Sequence, residues 1–192
     1  IAGGNETVDA ALKEQIFVIG EKLSIRRFAV TEGITSTYIH GIGSIGVIVR
    51  FDTDVADKEG FAQFAKNIAL QVGAYTTPYI NRDQVPASVL EAETAIVRAQ
   101  IENDPALSQK PDAIKEKMAV GRLNKFYENN CLLDMEYFLE DSMKVGQYVA
   151  ATAKELGAAI RIVSFTLFEK GEGIQKREEN FAEEIAKLAN NQ

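Results

Sequence analysis

Apolar positions along the chain follow two periods. Residues 7–19, TVDAALKEQIFVI, carry helical spacing, with Thr7 placed to cap the first turn and Gly20 where a left-handed C-terminal residue belongs. The stretch 23–32, LSIRRFAVTE, has strand chemistry, as do 35–40 (TSTYIH) and 45–52 (IGVIVRFD). The last two are joined by GIGS and predict a hairpin. A helix is predicted over 58–73, capped by Asp57, with Phe61, Phe64, Ala65, Ile68 and Val72 on one face.

A Pro- and Asn-bearing connector, 76–87, leads to two helices predicted over 88–103 and 111–129. Pro105 and Pro111 bound the turn between them. Val89, Ala92, Ile96 and Ala99 stripe the first; Ile114, Met118, Gly121 and Lys125 run down the second, with Leu123 and Phe126 on another face. Thin stripes among many charges predict a helical hairpin that projects from a body rather than lying inside it. After CLLDMEYFLED (131–141), a helix is predicted over 142–156, with Ser142 as its cap and Gly157 as its end. The strand that follows, 159–169, is apolar at nearly every residue, which predicts a central strand covered on both faces. A final helix over 174–189 aligns Phe181, Ile185 and Leu188 on one stripe, either as a solvated terminal helix or as a contact for another protein.

One stretch recurs. IGEKLSIRRF (19–28) and LGAAIRIVSF (156–165) align without a gap, matching Gly20 to Gly157, Leu23 to Ile160, Ile25 to Ile162 and Phe28 to Phe165. A unit of helix end, glycine and strand is used twice. The pattern as a whole predicts an α+β fold.

Composition narrows the function. The chain has 192 residues, 46% of them hydrophobic, enough for one domain with a sizeable core or two small subdomains. A net charge of −7 argues against a general nucleic-acid or anionic-membrane surface. The lone Cys131 allows no intrachain disulfide and fits a reducing cytoplasm. No apolar run reaches the length of a bilayer span, and no signal-peptide pattern is present. The opening IAGGNETVDAAL, without Met, is expected of a chain with further sequence upstream.

Three features invite chemistry. Gly41, Gly43 and Gly46 spell G-x-G-x-x-G, but a dinucleotide site needs that motif between a strand and a helix, with the pyrophosphate at the helix N-terminus. Here β-branched residues follow it, which predicts a turn. His40, the only histidine, has no second histidine to share a metal, and Cys131 lies in an apolar stretch. In DTDVADKE (52–59), counting an EF-hand from Asp52 puts Ala56 at position 5, Asp57 at position 6 and Gln63 at position 12, so the calcium pattern fails. No cofactor or catalytic constellation is expected, which points to binding rather than enzymatic chemistry.

The segments IGEKLSIRRFAVTEG, YIHGIGSIGVIV, FAKNIALQVGA, VPASVLEAE, GRLNKFYENNCLL and FEKGEGIQKREENFAEEIA occur in that order. Together they resemble bacterial elongation factor Ts, the guanine-nucleotide exchange factors of elongation factor Tu, from about residue 8 onward. The resemblance implies repeated core subdomains with three-stranded antiparallel sheets, a coiled-coil hairpin and a C-terminal helical module. On this chain it places the end of the N-terminal core subdomain at 1–22, the C-terminal core subdomain at 23–87, the hairpin at 88–130, a return to the core sheet at 131–173 and the C-terminal module at 174–192. It also implies contacts with elongation factor Tu at Ile19, His40 and Leu139, the histidine against the third domain of Tu. The helix after Ile174, bearing Phe181, Ile185 and Leu188, would meet the GTPase domain.

The family's N-terminal helical module and its first core repeat, with a T-D-F-V motif that acts near the Mg²⁺–nucleotide site of Tu, are expected to be missing from this sequence. Residues 52–55, DTDV, do not replace that motif, because Val55 stands where the Phe belongs. Three alternatives stay open: an exchange factor or its partner-binding and dimerising portion, which only docks or dimerises without exchange activity of its own; a purely structural dimerisation module; and, on the glycine motif alone, a cofactor enzyme.

Overall fold

The computed structural model describes residues 5–173. The chain divides into two compact units, Ile1–Glu32 and Gly33–Gln192.

In the first unit, α1 spans Val8–Ile19. Thr7 is extended (φ −80°, ψ 155°) and its hydroxyl accepts from the Ala10 amide at 3.2 Å, satisfying one of the helix's open donors. Gly20 adopts φ 75° and its amide donates to the Ile16 carbonyl at 2.9 Å, closing the C-terminus. No residue of α1 is buried. The strand expected over 23–32 does not form: the segment has no regular structure, and Ile25, Phe28 and Val30 are exposed. Strand chemistry is present, but no described strand pairs with it, and an unpaired strand has no ladder to hold it.

The second unit is built on a three-stranded antiparallel sheet of β1 (Ile34–His40), β2 (Ile45–Asp52) and a strand over Arg161–Glu169. The α+β class is therefore confirmed. β1 and β2 form the predicted hairpin, in register from Ile34 opposite Phe51 to His40 opposite Ile45. Alternation puts Val47, Val49 and Phe51 on one buried face of β2. Onto it packs α2 (Phe61–Ala74) through Phe61, Phe64, Ala65, Ile68 and Val72, the stripe read from the sequence. Phe51 meets Phe61 edge-on at 5.6 Å. The residue before α2 is Gly60 at φ 91°, and Asp57 does not cap it, because three further residues intervene before the helix starts.

The last strand corrects a further expectation. Among the described residues it pairs with β2 alone, so it lies at the edge and β2 is central. Apolar content reports which faces are covered. Position in a sheet is decided by which backbone edge accepts the strand.

Two long helices, α3 (Ala87–Asn103) and α4 (Asp112–Asn130), form the helical hairpin. Asp104 stabilises its turn by accepting from the Ala106 amide at 2.8 Å and the Leu107 amide at 3.2 Å. Val97, Ile101 and Ala119, with Leu107 and Met118 beside them, make a small apolar cluster separate from the main core. The stripes expected from periodicity are only partly used: Ile96 and Ile114 are exposed, and Gly121 has open space around it. With few apolar residues, the helices settle where ion pairs such as Lys115–Glu102 (2.9 Å) and Arg98–Glu116 (3.4 Å) also fit.

A short two-stranded sheet follows, β3 (Glu136–Tyr137) with β4 (Glu140–Lys144), and then α5 (Val145–Leu156). The helix predicted over 142–156 starts later: residues 140–144 pair as a strand, and Ser142 lies within it rather than capping. Lys144 takes the cap position, its amide donating to the Gln147 side chain at 2.8 Å. Gly157 (φ 71°) ends α5, and the edge strand β5 (Arg161–Glu169) returns to the main sheet. The helix predicted over 174–189 lies outside the described residues.

Candidate partner-binding surface

The glycine motif resolves as a turn. Gly41 (φ 57°) and Gly43 (φ 87°) take backbone angles that side chains disfavour, and Gly46 is already in β2. The amides of Gly43 and Ser44 donate to the His40 carbonyl at 3.2 and 3.1 Å, and the Ser44 hydroxyl donates to the same oxygen at 3.1 Å. These bonds close the loop on its last strand residue. They leave Ile39 and Ile42 exposed on either side of His40.

His40 is oriented by a residue that the motif reading missed. The Tyr38 hydroxyl and His40 Nδ1 share a hydrogen bond of 2.8 Å, with ring centroids 6.0 Å apart. Tyr38 can lie over α2 because Gly73 is bare: a Cβ there would stand 3.0 Å from the tyrosine ring. The signal was present in the sequence, since Y-x-H on a strand puts both rings on one face.

Leu139 sits at the tip of the β3–β4 hairpin and is 62% exposed. The hairpin beneath it is fastened to α2. Gln71, fully buried, donates from Nε2 to the Glu136 carbonyl and accepts at Oε1 from the Phe138 amide, both at 3.0 Å. One turn earlier, Asn67 Nδ2 donates to the hydroxyls of Tyr137 (3.1 Å) and Tyr148 (3.0 Å), whose rings stack at 4.2 Å. Burial and the hydrogen bond to Tyr148 push the Tyr137 phenol above its ordinary range.

Ile19, the last residue of α1, is exposed and belongs to the first unit; His40 and Leu139 lie on two different sheets of the second. Phe181, Ile185 and Leu188 fall outside the described residues.

The residues considered for chemistry occupy structural places. Cys131 is completely buried, and burial raises its thiol to about 11, the opposite of an activated nucleophile. The acidic stretch after β2 is a connection: Asp52 pairs with Arg161 at 2.7 Å, the Thr53 hydroxyl donates to the Ala159 carbonyl at 2.9 Å, and Val55 is buried. Among the described residues no group of three or more His, Cys, Asp or Glu side chains could hold a metal ion, and no helix is long and apolar enough to cross a membrane.

The β1–β2 turn exposes Ile39 and Ile42, and the β3–β4 turn exposes Leu139. Comparison with known proteins makes the assignment specific. The family model described as Elongation factor TS matches residues 1–172. Elongation factor Ts of Clostridium botulinum (strain 657 / Type Ba4) is 39% identical over 193 residues, covering 99% of this chain and 61% of that protein. Elongation factor Ts of Clostridium kluyveri (strain NBRC 12016) is 38% identical over 190 residues, covering 97% of this chain and 60% of that protein. The chain belongs to the elongation factor Ts family, and it spans about 60% of the length of these curated relatives.

Proposed function

We propose that this chain docks on the GTPase elongation factor Tu and serves guanine-nucleotide exchange on it, promoting GDP release during protein synthesis in the cytoplasm. The observation that carries the reading is the β1–β2 turn, where Tyr38 orients His40 between the exposed Ile39 and Ile42. An exposed ring held in one orientation and flanked by exposed aliphatic side chains is the kind of patch that becomes a water-excluding anchor when a partner covers it. Ile19 and Leu139 are further contacts in this reading, and Phe181, Ile185 and Leu188 would add the terminal helix. The helical hairpin at 88–130 is a separate module with its own apolar cluster.

Exchange follows from differential binding. A factor that binds nucleotide-free Tu more tightly than Tu·GDP must, by linkage, weaken GDP binding by the same factor. No covalent step is involved, so the chain acts as a binding protein and not as an enzyme.

The test is release of fluorescent GDP from Tu with and without this chain. Acceleration that falls about tenfold in His40→Ala supports the reading. A chain that neither binds Tu nor speeds release rejects it. Binding without acceleration leaves a docking portion. A second reading, homodimerisation, draws on the exposed Phe17, Val18, Phe28 and Val30 of the first unit, and sedimentation would detect it.

A further inference from the structure

The β3–β4 hairpin is a weak element by itself. β3 has two residues, the register shifts between Glu136 and Tyr137, and Tyr137 pairs with Glu140, leaving Phe138 and Leu139 as a two-residue turn. Such turns match the twist of their strands only when at least one turn residue takes positive φ. No non-glycine residue among those described has positive φ, so this turn lacks that support. A two-stranded ribbon of this kind is marginal in water.

Gln71 supplies what the turn does not. Its carboxamide presents an N–H donor and a carbonyl acceptor side by side, much as a peptide group does. It engages the Glu136 carbonyl and the Phe138 amide as a neighbouring strand would. Asn67, on the same face of α2, fixes Tyr137 between those two residues. The side chain that follows this clamp is the exposed Leu139.

We propose that Gln71 is a positioning residue for partner binding: it acts as a one-residue surrogate strand that holds the 136–138 backbone and so presents Leu139 to elongation factor Tu. The proposal rests on the reading of Leu139 as a contact. Gln71 itself, fully buried, touches no partner.

The test is a double-mutant cycle in the full chain, with dissociation constants for purified Tu and melting curves for each variant. Gln71→Met keeps the volume and removes both hydrogen bonds. The expected result is about a tenfold loss for Leu139→Ala, a comparable loss for Gln71→Met, and a double variant no weaker than Leu139→Ala alone. Full affinity in Gln71→Met, or losses that multiply in the double variant, overturns the positioning role while leaving the Leu139 contact standing. Full affinity in Leu139→Ala overturns the contact and the positioning role with it. Hydrogen exchange on the unaltered chain gives a result that does not depend on any variant folding. The Phe138 amide is expected to be protected and the Leu139 amide to exchange freely; a fast Phe138 amide overturns the clamp.

Discussion

The helix–glycine–strand stretch occurs twice in this chain and ends differently each time. After α1, Gly20 takes φ 75° and bonds back to the helix; after α5, Gly157 takes φ 71° and does the same. Beyond the glycines the two copies diverge. Residues 161–169 are a strand on the edge of the main sheet, whereas 23–32 have no regular structure. Ile162 is 6% exposed and its counterpart Ile25 is 52% exposed. A cap is a local device, complete within five residues. A strand is half of an object whose other half must be supplied by another piece of backbone.

The sharpest test of this contrast is a charge placed at the matched apolar position. Ile162→Asp buries an unpaired carboxylate in the main core and is expected to cost about 4 kcal/mol or more in urea unfolding. Ile25→Asp is expected to change stability by less than about 0.5 kcal/mol. Equal losses would mean that 23–32 is packed as tightly as β5, and would break the comparison.

Alkaline pH gives the next largest effect, confined to the second unit. The fold raises the Cys131 thiol from 9.0 to about 11, so folding favours its protonated form. Stability is full below pH 9 and falls by about 2 kcal/mol as pH approaches 11. Tyr137, also raised, adds to the loss at still higher pH. Cys131→Ala should flatten the decline between pH 9 and 11 when unfolding midpoints are followed against pH. A decline unchanged in that variant would assign it elsewhere.

The caps come third. Both glycines have positive φ and open space where a Cβ would stand, so the cost of Gly→Ala is backbone strain, about 1 kcal/mol. Gly157→Ala should lower the global unfolding midpoint. Gly20→Ala should instead speed hydrogen exchange in α1 and leave that midpoint alone, because no residue of α1 is fully buried. The smallest effect is Arg161→Ala. Arg161 occupies the place of Ser24 in the first copy and pairs with Asp52 on the surface at 2.7 Å. Its loss should cost under about 0.5 kcal/mol by the same unfolding measurement.

The same division runs through the candidate surface. The turn at 41–44 was legible, because glycines between two β-branched runs have few other uses. The dependence of His40 on Tyr38 and Gly73 was half legible: strand alternation pairs the rings, but the close approach to α2 is a fact of packing. Gln71 was invisible. It lies within an otherwise helical pattern, and nothing local marks a glutamine that will bond to backbone 65 and 67 residues away.

The amino-acid pattern by itself determined the caps at Thr7, Gly20 and Gly157, the β1–β2 hairpin and the apolar face of α2. These depend on contacts among residues close in the chain, where side-chain period and backbone preference act directly. Only the tertiary structure decided that β5 is an edge strand, that 140–144 pair as a strand before α5, and that the hairpin helices meet through Val97, Ile101 and Ala119. Each of those outcomes is a choice between surfaces of similar chemistry. Long-range pairing selects among them, because a backbone edge or an apolar face is stabilised only by the particular segment that reaches it.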